Sequence, residues 1–120
     1  HLYLDFDRDL IITEGVFDAV VAGKNSVPIL GSTLKENSRL FQEIVKNDTP
    51  VYLALDPDAE KKARKLISDL LKYDVELYKV DISPYGDVNE MGREKFIERK
   101  NKATFLNSDS YLMYEISNSL

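Results

Sequence analysis

Cysteine is absent from this chain of 120 residues, and histidine occurs only once, as His1. Without thiols there are no disulfides, no thiolate zinc sites and no cysteine nucleophile among these residues. A lone histidine at the first position removes histidine-based catalytic triads and facial-triad iron sites. No apolar run approaches the roughly 20 residues of a membrane span, and nothing resembles a signal peptide. Position 1 is not methionine, which suggests an expression scar or an excised fragment. The GxGxxG pattern and the P-loop pattern GxxxxGK are both missing, so dinucleotide and P-loop classes have no support. What remains is one soluble domain, large enough for a single core and expected in the cytoplasm, with no membrane partner.

Carboxylates are what the chain has instead. Six of them fall in three clusters, Glu14-Gly15-Val16-Phe17-Asp18, Asp56-Pro57-Asp58 and Asp87-Val88-Asn89-Glu90. Sixteen basic against twenty-one acidic residues give a net charge of −5; setting the six aside leaves sixteen against fifteen. The acidity is therefore local, and it does not argue against an anionic substrate that arrives with its metal. The first two clusters directly follow apolar, β-branched runs, Leu10 to Thr13 and Val51 to Leu55. Acids just past strand ends point into the crevice where open α/β sheets bind ligands. Unpaired carboxylates converging there repel one another unless a cation sits between them, and a hard divalent ion, Mg²⁺ or Mn²⁺, suits an all-oxygen set.

Strands and helices alternate along the chain, which predicts an α/β fold with a central, mostly parallel sheet and helices on both faces. Leu2 to Phe6 reads as a short opening strand and Leu10 to Thr13 as the next. Gly15 turns the chain into a helix over Val16 to Ala22, and Gly23 ends it. Val27 to Leu30 is a strand, and the capping box Thr33-x-x-Glu36 opens a helix to about Lys46. Leu34, Leu40, Phe41, Ile44 and Val45 share its apolar face. Val51 to Leu55 reads as a central strand covered on both sides. Asp58 starts a helix to about Tyr73, with Ala59, Ala63, Leu66, Ile67, Leu70 and Leu71 as its buried stripe. Val75 to Ile82 is a strand, Ser83 to Gly86 a turn, and Met91 to Lys100 and Ser110 to Ser117 are helices.

Each acidic cluster also has a plainer reading. Glu14-Gly15 can be an ordinary strand-to-helix turn, Asp56-Pro57-Asp58 a helix start, and Asp87 to Glu90 a solvated loop. Gly31, Ser32 and Thr33 can lend N–H groups to a phosphate at a helix N-terminus, or simply cap that helix. The run Lys61 to Lys65 reads more readily as a solvated face than as a binding patch. The coincidence of acids at neighbouring strand ends favours metal-assisted phosphoryl or nucleotidyl transfer. In such a site carboxylates hold Mg²⁺ and a further carboxylate shuttles the proton.

The ordered motifs Glu14-Gly15-x-x-Asp18, Asp56-x-Asp58 and a downstream acidic loop resemble a TOPRIM domain. That fold is shared by bacterial-type primases, type IA and II topoisomerases, OLD-family nucleases and the recombination protein RecR. The resemblance covers about Leu10 to Phe96 and looks most like the primase TOPRIM of phages and bacteria. Ile11 to Ala19, Leu30 to Leu34 and Ala54 to Ala59 are similar in wording to that subgroup. The implied fold is a TOPRIM-type, Rossmann-like domain over residues 1–100, with core 10–96 and a C-terminal helical extension over 101–120.

By the resemblance, Glu14 acts as general acid/base or outer metal ligand, Asp56 and Asp58 are the principal Mg²⁺ ligands, and Asp18 and Asp87 support them. The third motif, Asp87-Val88-Asn89-Glu90, keeps the family's outer acids and loses its middle one. The glycine that often follows Asp-x-Asp is replaced by Ala59-Glu60-Lys61. A primase would join ribonucleotides on a single-stranded DNA template, in a bacterial or phage-infected cytoplasm and in association with a replicative helicase. The family's cysteine-rich zinc domain and basic template-gripping subdomain are not in this sequence, so the chain by itself is expected to make no primers. The rival implications are a TOPRIM nuclease of the OLD type and a RecR-like binding module.

Overall fold

Three of the four residues in Leu10-Ile11-Ile12-Thr13 are β-branched, and they form the first strand, β1 (Leu10–Thr13), with every side chain buried. The computed structural model describes residues 5–23, 25–28, 39–55 and 64–107. Beyond β1 come α1 (Val16–Ala22), β2 (Ser26–Pro28), α2 (Arg39–Lys46), β3 (Val51–Ala54) and α3 (Arg64–Lys72). They are followed by β4 (Leu77–Lys79), α4 (Val88–Met91), α5 (Arg93–Asn101) and β5 (Thr104–Leu106). The strands make one sheet in the order β2-β1-β3-β4-β5. All pairings are parallel except β4 with β5. The expected α/β fold is what forms.

Alternation along the strands divides the core in two. Leu10, Ile12, Val51, Leu53 and Leu77 face one way, onto Phe41 and Ile44 of α2 and the α3 stripe Leu66, Ile67, Leu70 and Leu71. Ile11 and Ala54 face the other way, onto Ala22 of α1, Val88 and Met91 of α4 and Phe96 of α5. Helices therefore cover both faces. From β1 the chain moves outward through α1 to β2, then crosses back to place β3 on the opposite side of β1. That reversal makes the β1/β3 boundary the topological switch point, and ligands of open α/β sheets bind beyond the strand ends there.

Gly23 ends α1 as expected, and two facts require glycine there. Its φ is 103°, and an added Cβ would collide with the Arg93 guanidinium. Arg93 reaches back from α5 to donate to the Val21 carbonyl at 3.4 Å.

Several boundaries differ from expectation. The helix expected over Met91 to Lys100 begins at Val88 and is split at Gly92, whose φ of 87° no continuous helix accommodates. The Val75 to Ile82 strand is reduced to Leu77–Lys79. Val80 still donates to the Leu53 carbonyl at 2.9 Å, but from Asp81 the chain turns away from the sheet. Phe6 lies in a turn closed by the Arg8 N–H on the Asp5 carbonyl (3.2 Å) rather than in a strand. Strand β5 was not expected at all; it falls in the stretch read as a helical extension. Cross-strand aromatics explain it: Tyr78 stacks on Tyr52 (4.6 Å between ring centroids) and meets Phe105 at 5.5 Å, each with its register partner. Ile29 and Leu30, the helix starts at Thr33 and Asp58 and the helix over Ser110 to Ser117 lie outside the described residues. Among the described residues no helix is long and apolar enough to cross a membrane.

Candidate active site

The last register pair of β1 and β3 is Thr13 with Ala54, so the two strands end side by side. Thr13 is fully buried, and its hydroxyl donates to the Gly15 carbonyl at 3.2 Å. The same carbonyl accepts the Ala19 N–H at 3.1 Å, the first rung of α1. The turn between strand and helix is thereby fixed from both sides, and Glu14 sits on it, half-buried. Asp18 lies on α1, but its side chain is outside what is described. On β3, Leu55 is buried next to Ala54 and delivers the chain to Asp56-Pro57-Asp58. Asp56 and Asp58 themselves, and Gly31, Ser32 and Thr33, lie outside the described residues.

The third cluster is more ordered than a solvated loop. Asp87 is the N-cap of α4, with Oδ1 accepting the Glu90 N–H at 2.7 Å. Glu90 reaches back through Oε2 to the Gly86 N–H at 3.0 Å. The pair forms a capping-box variant, shifted by one residue at the return bond. Asn89 is exposed, while Val88 and Met91 are buried and anchor α4 against α1. Because α1 begins just after Glu14, the first and third clusters are carried by elements that pack on each other. Among the described residues no three acids come close enough to hold a metal ion. Asp56 and Asp58 would have to complete any such set, and a donor set made only of carboxylates fits a hard divalent cation.

No protein-family model matches the chain, and no curated protein matches it. Among solved structures, one match is a crystal structure of the Aquifex aeolicus primase comprising its zinc-binding and RNA polymerase domains. The match has a TM-score of 0.65 and 27% identity, and it covers 81% of this chain. The fold is primase-like. The chain spans only about a quarter of that primase chain, 26%. A primase-like sheet with an acid at its switch point supports a primase-related function at the coarse level.

Sequence reasoning missed the polar links that hold the turn leading to Asp87. Asp81 Oδ1 accepts from Ser83 Oγ at 2.7 Å and from Ser83 N–H at 2.9 Å. Those two bonds, with smaller contributions from Arg99 and Lys79, hold the Asp81 carboxyl below the usual aspartate range. A depressed folded-state pKa stabilises the fold fully above the unfolded value of about 3.9, and the contribution disappears as pH falls through the folded value. Asp81→Asn is accordingly expected to be less stable than wild type at about pH 6, with the gap closing towards about pH 2. Urea unfolding at several pH values checks this, and a gap that stays constant would remove Asp81 as its source. No comparable local pattern marks Arg99 in the sequence, because its partners lie 16 and 18 residues away.

Proposed function

We propose that this chain is the metal-binding TOPRIM domain of a DNA primase, serving Mg²⁺-dependent joining of ribonucleotides on single-stranded DNA. The observation that carries the reading is Glu14 at the end of β1, on a turn fixed by Thr13 and Gly15, beside the strand that runs into Asp56-Pro57-Asp58. A primase-like fold supports it, and so does the Glu-Gly-x-x-Asp and Asp-x-Asp order of the motifs.

In this reading Asp56 and Asp58 hold the ion, with Asp18 and Asp87 supporting. The ion, when bound, neutralises phosphate oxygens and lowers the pKa of the attacking hydroxyl. Glu14 takes that proton, from a position fixed by the β1–α1 turn. Gly31, Ser32 and Thr33 orient a nucleotide phosphate through backbone N–H groups. Template and nucleoside triphosphates reach the site through the full-length protein, since the basic residues of this chain are scattered and its net charge is −5.

Metal-linked stability tests the site. At ten times its Kd, Mg²⁺ that binds only the folded chain adds about 1.4 kcal/mol, a rise of several degrees in Tm. Asp56→Asn combined with Asp58→Asn is expected to abolish the rise and to raise Tm without metal, by relieving like-charge repulsion. A wild-type Tm that ignores both Mg²⁺ and Mn²⁺ would count against a preorganised site. In the full-length protein, metal-dependent cleavage of the template in place of ribonucleotide incorporation would favour a TOPRIM nuclease.

A further inference from the structure

The span from Val80 to Gly86 connects β4 to the helix that carries Asp87 and Glu90. Val80 and Ile82 anchor it in the apolar cluster with Val88, Met91 and Phe96, and most of the residues between and after them face solvent. Ile82 is buried and Tyr85 half-buried, but Asp81, Ser83, Pro84 and Gly86 are exposed. The exposed part of the turn is restrained by polar links, from Asp81 to Ser83 within it and from α5 across it. Arg99 Nη1 donates to the Ser83 carbonyl at 2.7 Å and to the Asp81 carbonyl at 2.9 Å, and stands 3.7 Å from the Asp81 carboxylate. The Arg99 side chain is only 22% exposed, although it lies on a helix whose one buried residue is Phe96. From Ser83 the links continue: Tyr85 N–H to the Ile82 carbonyl (3.0 Å), Gly86 N–H to Glu90 Oε2 (3.0 Å), and Glu90 N–H to Asp87 Oδ1 (2.7 Å).

We infer that Arg99 is a positioning residue: its guanidinium fixes the turn after β4 and, through that turn, sets where the Asp87 carboxylate stands. The consequence for metal binding rests on the functional reading above, in which Asp87 supports the ion. The effect is specific because the two carbonyls lie on an exposed turn. If the guanidinium is removed, water can take its place on both oxygens, so global stability changes little. The geometric restraint is what water cannot replace. A difference of this kind moves the position of one carboxylate without unfolding the chain, and it is invisible to a melting curve taken without metal.

Two readouts test the inference on this chain. In Arg99→Ala, amide exchange at Gly86 and Glu90 is expected to speed up roughly tenfold, with the amides of β1 and β3 unchanged, as for a local opening. The Mg²⁺ concentration giving half the full rise in Tm is expected to increase roughly threefold to tenfold, towards the lower end of the coupling found between linked neighbours. Arg99→Lys should recover part of both effects, because an ammonium can donate to the same two carbonyls. In an Asp87→Asn background, Arg99→Ala should change the Mg²⁺ midpoint no further.

Unchanged exchange at Gly86 and Glu90 in Arg99→Ala would overturn the inference, and so would a metal effect that simply adds to that of Asp87→Asn. A wild-type chain with no Mg²⁺ response would instead sink the metal reading, and the exchange rates would still decide the role of Arg99.

Discussion

Replacing Phe96 with alanine is expected to cost about 3–5 kcal/mol, the range for emptying a fully buried phenylalanine site. Total stability for a domain of this size is only about 5–15 kcal/mol, so the variant should be close to unfolding. The position is unusual for how much depends on it. Phe96 is 0% exposed and is the one buried residue of α5. The side-chain ties from α5 to the rest of the fold include Arg93 to Val21, Arg99 to the turn at Ser83, and Lys100 to Asp9 at 3.2 Å and over the Tyr52 ring at 4.2 Å. Phe96 packs in the cluster that also holds Val88 and Met91 of α4. Its loss should therefore loosen the helix bearing Asp87 as well as the one bearing Arg99.

Phe41→Ala, in the cluster on the opposite face, provides the control. It should lose stability over a similar range while leaving amide exchange at Glu90 close to wild type under native conditions. Urea denaturation of both variants, with exchange measured at Glu90, checks the comparison. A loss below about 1 kcal/mol for Phe96→Ala would mean that the site collapses without a cavity, contrary to the burial seen here.

Residues with local signals were legible in the sequence. The run Leu10 to Thr13 and the helix Val16 to Ala22 were read with the boundaries they have, because β-branching, Gly15 and Gly23 act at short range. The buried stripe Leu66, Ile67, Leu70 and Leu71 was also legible, since helical period and burial coincide. Strand β5 was not, because of its three residues only Leu106 is buried. Its conformation follows from pairing with β4, a partner no local pattern names. The role of Gly92 as a break between helices was missed because a glycine inside a helical pattern has two outcomes, tolerated or terminal.

The candidate site divides the same way. Glu14 was legible as an acid after a strand, and Asp87-x-x-Glu90 carried a capping pattern that the acidic reading overlooked. That β1 and β3 are neighbours, which gives the acids a common edge, depends on strand order and is non-local. The same holds for Arg99, whose contacts to the turn arise only once α5 folds back over the sheet.

Glu14→Gln, made in the full-length protein, is expected to lower kcat by roughly 10²-fold or more with little change in nucleotide KM, as for a lost general acid/base. Glutamine has nearly the same shape as glutamate and can still accept a hydrogen bond, so the β1–α1 turn held by Thr13 and Gly15 should survive. What it lacks is the negative charge and the ability to carry a proton. If Glu14 takes the proton of the attacking hydroxyl, extra Mg²⁺ cannot compensate, and the acid limb of the pH–rate profile should change with the substitution. If Glu14 is a ligand of the ion, the variant should bind Mg²⁺ more weakly and recover most of its turnover at high concentration. The Mg²⁺ dependence of kcat therefore separates the two roles. The Tm response gives an independent check, since loss of a base leaves the Mg²⁺-induced rise in place while loss of a ligand reduces it. Recovery of turnover at high Mg²⁺, together with a reduced Tm rise, would move Glu14 from the proton-transfer role to the metal-binding set with Asp56 and Asp58.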